Sequence, residues 1–259
     1  MSDTLPPPAP KLAIILCAVL EGEFAALSRS RPNVVHTAVL KQGLHNTPPQ
    51  LQAELQQTIN QIEASDLGID AIVLGYGLCS RGTEGITTKT CKLVLPRAHD
   101  CITLLLGSKE RYAAYVKEHP GCYWYSPGWI SDHELPGPER YNTMRRQYVE
   151  KYGEENADFL MESEQAWYQN YSLGVYVDTG LTDPASVERD IAYTKRCTDW
   201  LKWNFERVHG SPALMEALLD GRWSDADFLV LEPGQSAKMT ADERVVTAIR
   251  LPDGQKVTA

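Results

Sequence analysis

The segment PRAHDC, residues 96–101, sets His99 and Cys101 two positions apart at the end of an apolar run. In extended backbone, side chains two apart share a side. That arrangement suits joint ligation of a metal ion, or a base beside a nucleophile. Three further groups of the same chemistry stand nearby in the chain: Cys17 closing KLAIILC, His45 in QGLHNTP and Cys79 in GYGLCSRG. Zinc takes sulfur and nitrogen ligands in tetrahedral geometry, and catalytic zinc keeps one position open; iron and copper accept similar donors. The expectation is a zinc site with Cys17, Cys79, His99 and Cys101 as ligands. His45 is expected as a ligand or general base, and Asp100 as a second catalytic group. Asp100 is equally placed to cap a helix starting at Cys101, whose dipole would favour the thiolate. The same residues also admit metal-free chemistry, with Cys101 as nucleophile and His99 or His45 as base.

These groups need a scaffold that collects them. KLAIILCAVL, NVVHTAVL, DAIVLGYG and KLVLPRA read as buried strands, with CYWYSPGW as a fifth. Helical stretches separate most of them. TPPQLQAELQQTINQIEAS is the clearest, with Thr47 as cap and Leu51, Leu55, Ile59 and Ile62 on one face. Continuous apolar strands alternating with helices predict an α/β fold: an open, mostly parallel, Rossmann-like sheet with helices on both faces, plus a helical and α/β C-terminal lobe. The expected divisions are a disordered lead-in at 1–10, the core at 11–135, a second lobe at 136–235 and a tail at 236–259 forming a β-hairpin at Asp253-Gly254. Helices are expected at 140–169 and from Asp183-Pro184 to about His209.

Ligands of open parallel sheets bind outside the carboxyl ends of the strands. Cys17, Cys79, His99 and Cys101 all follow strand ends, whereas Cys91 and Cys122 precede strands and Cys197 lies in a helix. The Gly-rich loop GYGLCSRGTEG, with Tyr76, Gly77 and Arg81, is expected to bind an anionic substrate group through backbone N–H groups and the guanidinium. Arg97, Trp129 and Asp178 complete the expected substrate-binding set, with Trp129 covering the cleft. Of Glu21 and Glu23, one is expected to face it.

The chain has 259 residues, 43% hydrophobic and 23% charged, with a net charge of −9. That acidity argues against binding nucleic acid, which needs clustered Lys and Arg. No run approaches the roughly 18 apolar residues of a membrane span, and the start lacks the pattern of a signal peptide. A cytoplasmic protein with reduced cysteines is expected.

The motifs CAVLEGEF, GLHNTP, LGYGLCSRG, PRAHDCITLLLGSKERY, SPGW and VDTG, in this order, resemble the family known as domain of unknown function 1638. The resemblance spans most of residues 12–235, and its members look associated with corrinoid-dependent methyl transfer. His99-x-Cys101 is also similar to the zinc site of methylcobamide:thiol methyltransferases of the uroporphyrinogen-decarboxylase type. Those use a downstream cysteine on a barrel, whereas Cys17 and Cys79 lie upstream here, so this likeness implies shared metal chemistry only. The resemblance implies a zinc-dependent enzyme of one-carbon metabolism acting on a small-molecule substrate, with a corrinoid carried by a partner protein. The alternative is a non-catalytic accessory protein that binds a corrinoid, a metal or a methyltransferase.

Overall fold

The computed structural model describes residues 9–132 and 134–250. Residues 1–8 of the expected lead-in, and the expected turn at Asp253-Gly254, lie outside them. The chain divides into two compact units, residues 1–109 with 211–259, and residues 110–210.

The first unit is an α/β layer structure. Its elements are β1 (Leu12–Cys17), α1 (Glu21–Ser28), β2 (Val34–Leu40), α2 (Pro48–Ala64), β3 (Ala71–Gly75), β4 (Lys92–Pro96) and α3 (Cys101–Leu106), with α4 (Lys109–Glu118) leading into the second unit. The sheet order is β2-β1-β3-β4-β8, where β8 is Phe228–Leu231. The first four strands run parallel, and β8 pairs antiparallel with β4 at the edge. Every residue of β1 and β3 is buried, as unbroken apolar runs require in a sheet covered on both faces. On α2 the stripe Leu51, Leu55, Ile59 and Ile62 is buried, and prolines occupy the first turn. Thr47 holds the N-cap position but its side chain makes no capping bond.

The second unit contains β5 (Cys122–Tyr125), α5 (Pro127–Asp132), α6 (Pro138–Tyr152), α7 (Glu154–Gln165), β6 (Leu173–Asp178), α8 (Pro184–Leu201) and β7 (Asn204–His209). Its three strands form a separate parallel sheet in the order β5-β6-β7. Tyr125, Leu135, Tyr176, Val187 and Cys197 form its core. The chain then returns to the first unit through α9 (Ala213–Leu219), β8, β9 (Gln235–Met239) and β10 (Val246–Arg250).

Two sequence expectations are corrected. The fifth strand does not extend the first sheet; β5 pairs with β6, and β8 takes that edge instead. The helix opened by Asp183 stops at Leu201, where Lys202 turns left-handed with φ 63°. NFERVH is then a strand, in register with β6 from Leu173↔Asn204 to Asp178↔His209. Upstream of the expected turn, β9 and β10 pair as an antiparallel hairpin. Among the described residues, no helix is long and apolar enough to cross a membrane.

The strand order sets the position of the site. From β1 the chain moves to one side to form β2, then crosses to the other side to form β3. The switch point therefore lies between the carboxyl ends of β1 and β3, where such sheets open a ligand crevice. β1 ends at Cys17 and β3 runs into Tyr76.

Candidate functional site

Residues 76–91 link β3 to the parallel strand β4 without a helix or strand of their own. Long irregular links inside compact domains are characteristically functional. Two bonds continue the β3–β4 pairing into this link: Leu78 N–H donates to Ala98 O at 2.7 Å, and Cys79 N–H to His99 O at 3.0 Å. A Cβ on Gly77 would stand 2.6 Å from Asp100 N and 2.9 Å from His99 C. The close approach of two backbones thus accounts for a glycine at position 77.

The link then takes an unusual turn. Cys79, Ser80 and Arg81 are all left-handed, with φ 47°, 56° and 72°. Such backbone costs a non-glycine residue about 1–2 kcal/mol and persists only where the surroundings enforce it. The turn carries Cys79 to the Cys17 side. Cys17 is 8% exposed, and its thiol acts electrostatically on both Cys79 and Tyr76. Burial pushes the Cys79 thiol up to about 12, with further upward contributions from Asp100 and Cys17. Burial also raises Tyr76, reinforced by Cys17, Cys79 and Glu54. The Tyr76 hydroxyl oxygen is fully buried, with the Cys17 thiol beside it.

His45 enters from the turn after β2 and is half-buried. Burial lowers its pKa, against the pull of Asp100, which favours the neutral imidazole. Asp100 caps α3, accepting from Ile102 N–H at 3.0 Å and Thr103 N–H at 3.4 Å. Cys101 is buried in the first turn behind it. α3 has only six residues, and the Asp100 carboxylate faces its positive end, so the helix dipole gives Cys101 little help toward thiolate.

Cys17, Tyr76, Cys79, His45 and Asp100 are thus linked by mutual interactions around the switch point. His99 has an exposed side chain and contributes its backbone carbonyl to Cys79. Cys91 lies with Glu63 and Ile72 at the start of β4. Cys122 and Cys197 belong to the second unit. Among the described residues, no group of three or more His, Cys, Asp and Glu side chains is arranged to hold a metal ion.

The expected anion-binding arginines are otherwise engaged. Arg97 is 5% exposed. It donates to Asp225 O at 2.7 Å, Asp225 Oδ1 at 2.8 Å, Arg244 O at 3.2 Å and Val246 O. It therefore fastens the C-terminal hairpin and offers no guanidinium to a substrate. Arg81 is largely exposed and paired with Glu84 at 2.8 Å. Trp129 and Asp178 stand on the second unit, after β5 and at the end of β6. They are not on the sheet edge that carries Cys17 and Cys79. Burial raises Asp178, but Arg207, the Gly180 N–H and His209 outweigh it and hold the carboxyl below its ordinary value.

The sequence left Glu21 and Glu23 undivided. Glu21 is exposed. Glu23, in the first turn of α1, is 2% exposed, its Oε1 is buried without a partner, and burial lifts its pKa to about 7 against a bond from its own backbone N–H. Its neighbour Phe24 packs over Gly75 at the end of β3. Only the fold distinguishes the two glutamates.

The family model described as Protein of unknown function (DUF1638) matches residues 39–219. The chain belongs to this family. The DUF1638 match takes in His45, the link with Cys79, PRAHDC and the whole second unit. No curated protein and no solved structure matches the chain.

Proposed function

We propose that this DUF1638 protein binds zinc between Cys17 and Cys79 and uses it in one-carbon metabolism, transferring a methyl group to or from a small thiol or similarly polarisable substrate. One observation carries the reading: Cys17, the buried last residue of β1, and Cys79, partly buried in the link that follows β3, interact electrostatically at the topological switch point. Their surroundings suit a soft cation. Burial, Asp100 and the neighbouring thiol all oppose a free Cys79 thiolate, which disfavours a nucleophile acting alone. A divalent cation reverses that balance, because a coordinating thiol is deprotonated outright. The neutral His45 imidazole is a suitable third donor, and Asp100 is placed to orient it. The ligands have to close on the ion, since no larger donor group stands ready-assembled among the described residues.

Bound zinc would supply a Lewis acid that keeps a substrate thiol anionic at neutral pH. The chain's own residues bind and orient. The buried Tyr76 hydroxyl, beside the Cys17 thiol, donates to the group that enters there. The link to a corrinoid-bearing partner belongs to the same proposal and is supported by the family resemblance.

Zinc titration of reduced protein at neutral pH tests the proposal. It predicts one equivalent bound with release of about one proton per ligated thiol, lost in Cys17→Ser and Cys79→Ser and kept in Cys91→Ser. Absence of binding, or binding indifferent to Cys17 and Cys79, would overturn it. Binding without methyl transfer to any acceptor would assign the protein an accessory role.

A further inference from the structure

We infer that Glu84 is a positioning residue that holds the Cys79 thiol in the site, an inference that rests on the reading of Cys79 as the site's working thiol. Three consecutive left-handed residues, Cys79 to Arg81, are each disfavoured roughly tenfold relative to right-handed backbone. None is glycine, and asparagine, the usual substitute, is absent. The turn needs external restraint, and Glu84 provides it from both sides of its carboxylate. Oε2 accepts from Arg81 Nε at 2.9 Å and pairs with Nη2 at 2.8 Å. Oε1 accepts from Met239 N–H at 2.5 Å. The last left-handed residue is therefore tied through Glu84 to strand β9.

The backbone around Glu84 is anchored as well. Gln52 Nε2, on α2, donates to Glu84 O at 2.6 Å, and Gly85 N–H donates to Ala237 O at 3.1 Å. Gly82 packs under Leu51, whose Cδ2 would lie 2.5 Å from any added Cβ. Thr83 Oγ1 donates toward Gly77 O at 3.3 Å and Leu78 O at 3.4 Å. The turn thus has a fixed floor and a fixed far end. Backbone bonds hold the main chain of the strained residues, from Cys79 N–H to His99 O at 3.0 Å, Gly82 N–H to Cys79 O at 3.0 Å and Glu84 N–H to Arg81 O at 3.1 Å, and the Arg81–Glu84–Met239 bridge adds the side-chain tie from Arg81 to β9. Because β9 is the first strand of the hairpin that Arg97 clamps, the C-terminal segment takes part in placing Cys79. This gives Arg81 and Glu84 a reason to be charged.

The test compares Glu84→Ala, Glu84→Gln and the double variant Arg81→Gly with Glu84→Ala in the full chain. Two readouts are used: the alkylation rate of Cys79, followed by peptide mapping, and zinc affinity. Without the bridge Cys79 relaxes to ordinary backbone. Glu84→Ala is expected to change the Cys79 alkylation rate at least tenfold and to weaken zinc about tenfold, with the rates of Cys91 and Cys197 unchanged. Glu84→Gln keeps an acceptor for Met239 N–H and Arg81, and should fall between. Glycine adopts φ 72° without strain, so the double variant should recover toward the wild-type rate. Unchanged Cys79 alkylation in Glu84→Ala overturns the inference. So does failure of glycine to rescue, because a purely structural loss would not be repaired by removing a second side chain. If wild type binds no zinc, the proposed function fails, while the alkylation series still decides the role of Glu84.

Discussion

Glu23→Gln removes a buried ionisable group, and its consequence is a change in how stability depends on pH. In the unfolded chain the carboxyl has its ordinary value of 4.5; in the fold burial raises it to about 7. Below pH 4.5 both states are protonated and no penalty exists. As pH rises from 4.5, the unfolded chain releases the proton while the folded chain keeps it, so stability falls. Near pH 7 the folded group also ionises and the fall levels off. The difference between 4.5 and about 7 corresponds to about 3 kcal/mol. The glutamine variant lacks this term. Its stability relative to wild type should therefore improve by about 3 kcal/mol between pH 4.5 and pH 8. Any fixed cost of burying the amide cancels, because it does not vary with pH. Urea unfolding of both proteins across this range gives the difference directly, provided the m values agree. A constant difference would refute the reasoning. A variant that loses ground as pH rises would show instead that a partner stabilises the Glu23 carboxylate.

Asp100→Ala removes the charge that raises the Cys79 thiol, so the pH midpoint for Cys79 alkylation should move down, alongside a loss of about 1 kcal/mol from the missing cap; an unmoved midpoint would deny the coupling. Arg97→Met leaves the Val246, Arg244 and Asp225 carbonyls without their donor and should cost about 3 kcal/mol. Its hydrogen-exchange protection should fall first in β10, and protection retained there would contradict the clamp. Gly77→Ala forces a methyl group into the Asp100 backbone and should lower stability by about 3 kcal/mol in urea; a neutral substitution would show that the two segments separate easily.

Much of the first sheet was legible because its strands are unbroken apolar runs, and burial on both faces demands such runs. Apolar spacing also revealed α2. Strand order was less accessible. Nothing local in CYWY says that it pairs with β6 rather than β4, and NFERVH has the polar character that a partly exposed strand tolerates. Arg97 could not be read as a clamp because its acceptors lie 128 to 149 residues away. Its position after a strand resembles that of a substrate-binding arginine. The division of the cysteines was visible in part. Cys17 and Cys79 follow strand ends and interact electrostatically, while Cys91 lies with Ile72 and Glu63 at the start of β4. The left-handed run at Cys79–Arg81 was hidden, since it joins residue types that seldom adopt that backbone and is imposed by Glu84 and β9.

X-ray absorption at the zinc edge, on protein loaded with one equivalent, tests the central claim most directly. Cys17 and Cys79 should appear as two sulfur neighbours at about 2.3 Å, with nitrogen or oxygen filling the remaining positions. Cys79→Ser should leave one sulfur. A shell of nitrogen and oxygen alone, or a sulfur count unaffected by that substitution, would contradict the assignment of the switch-point thiols as the metal site.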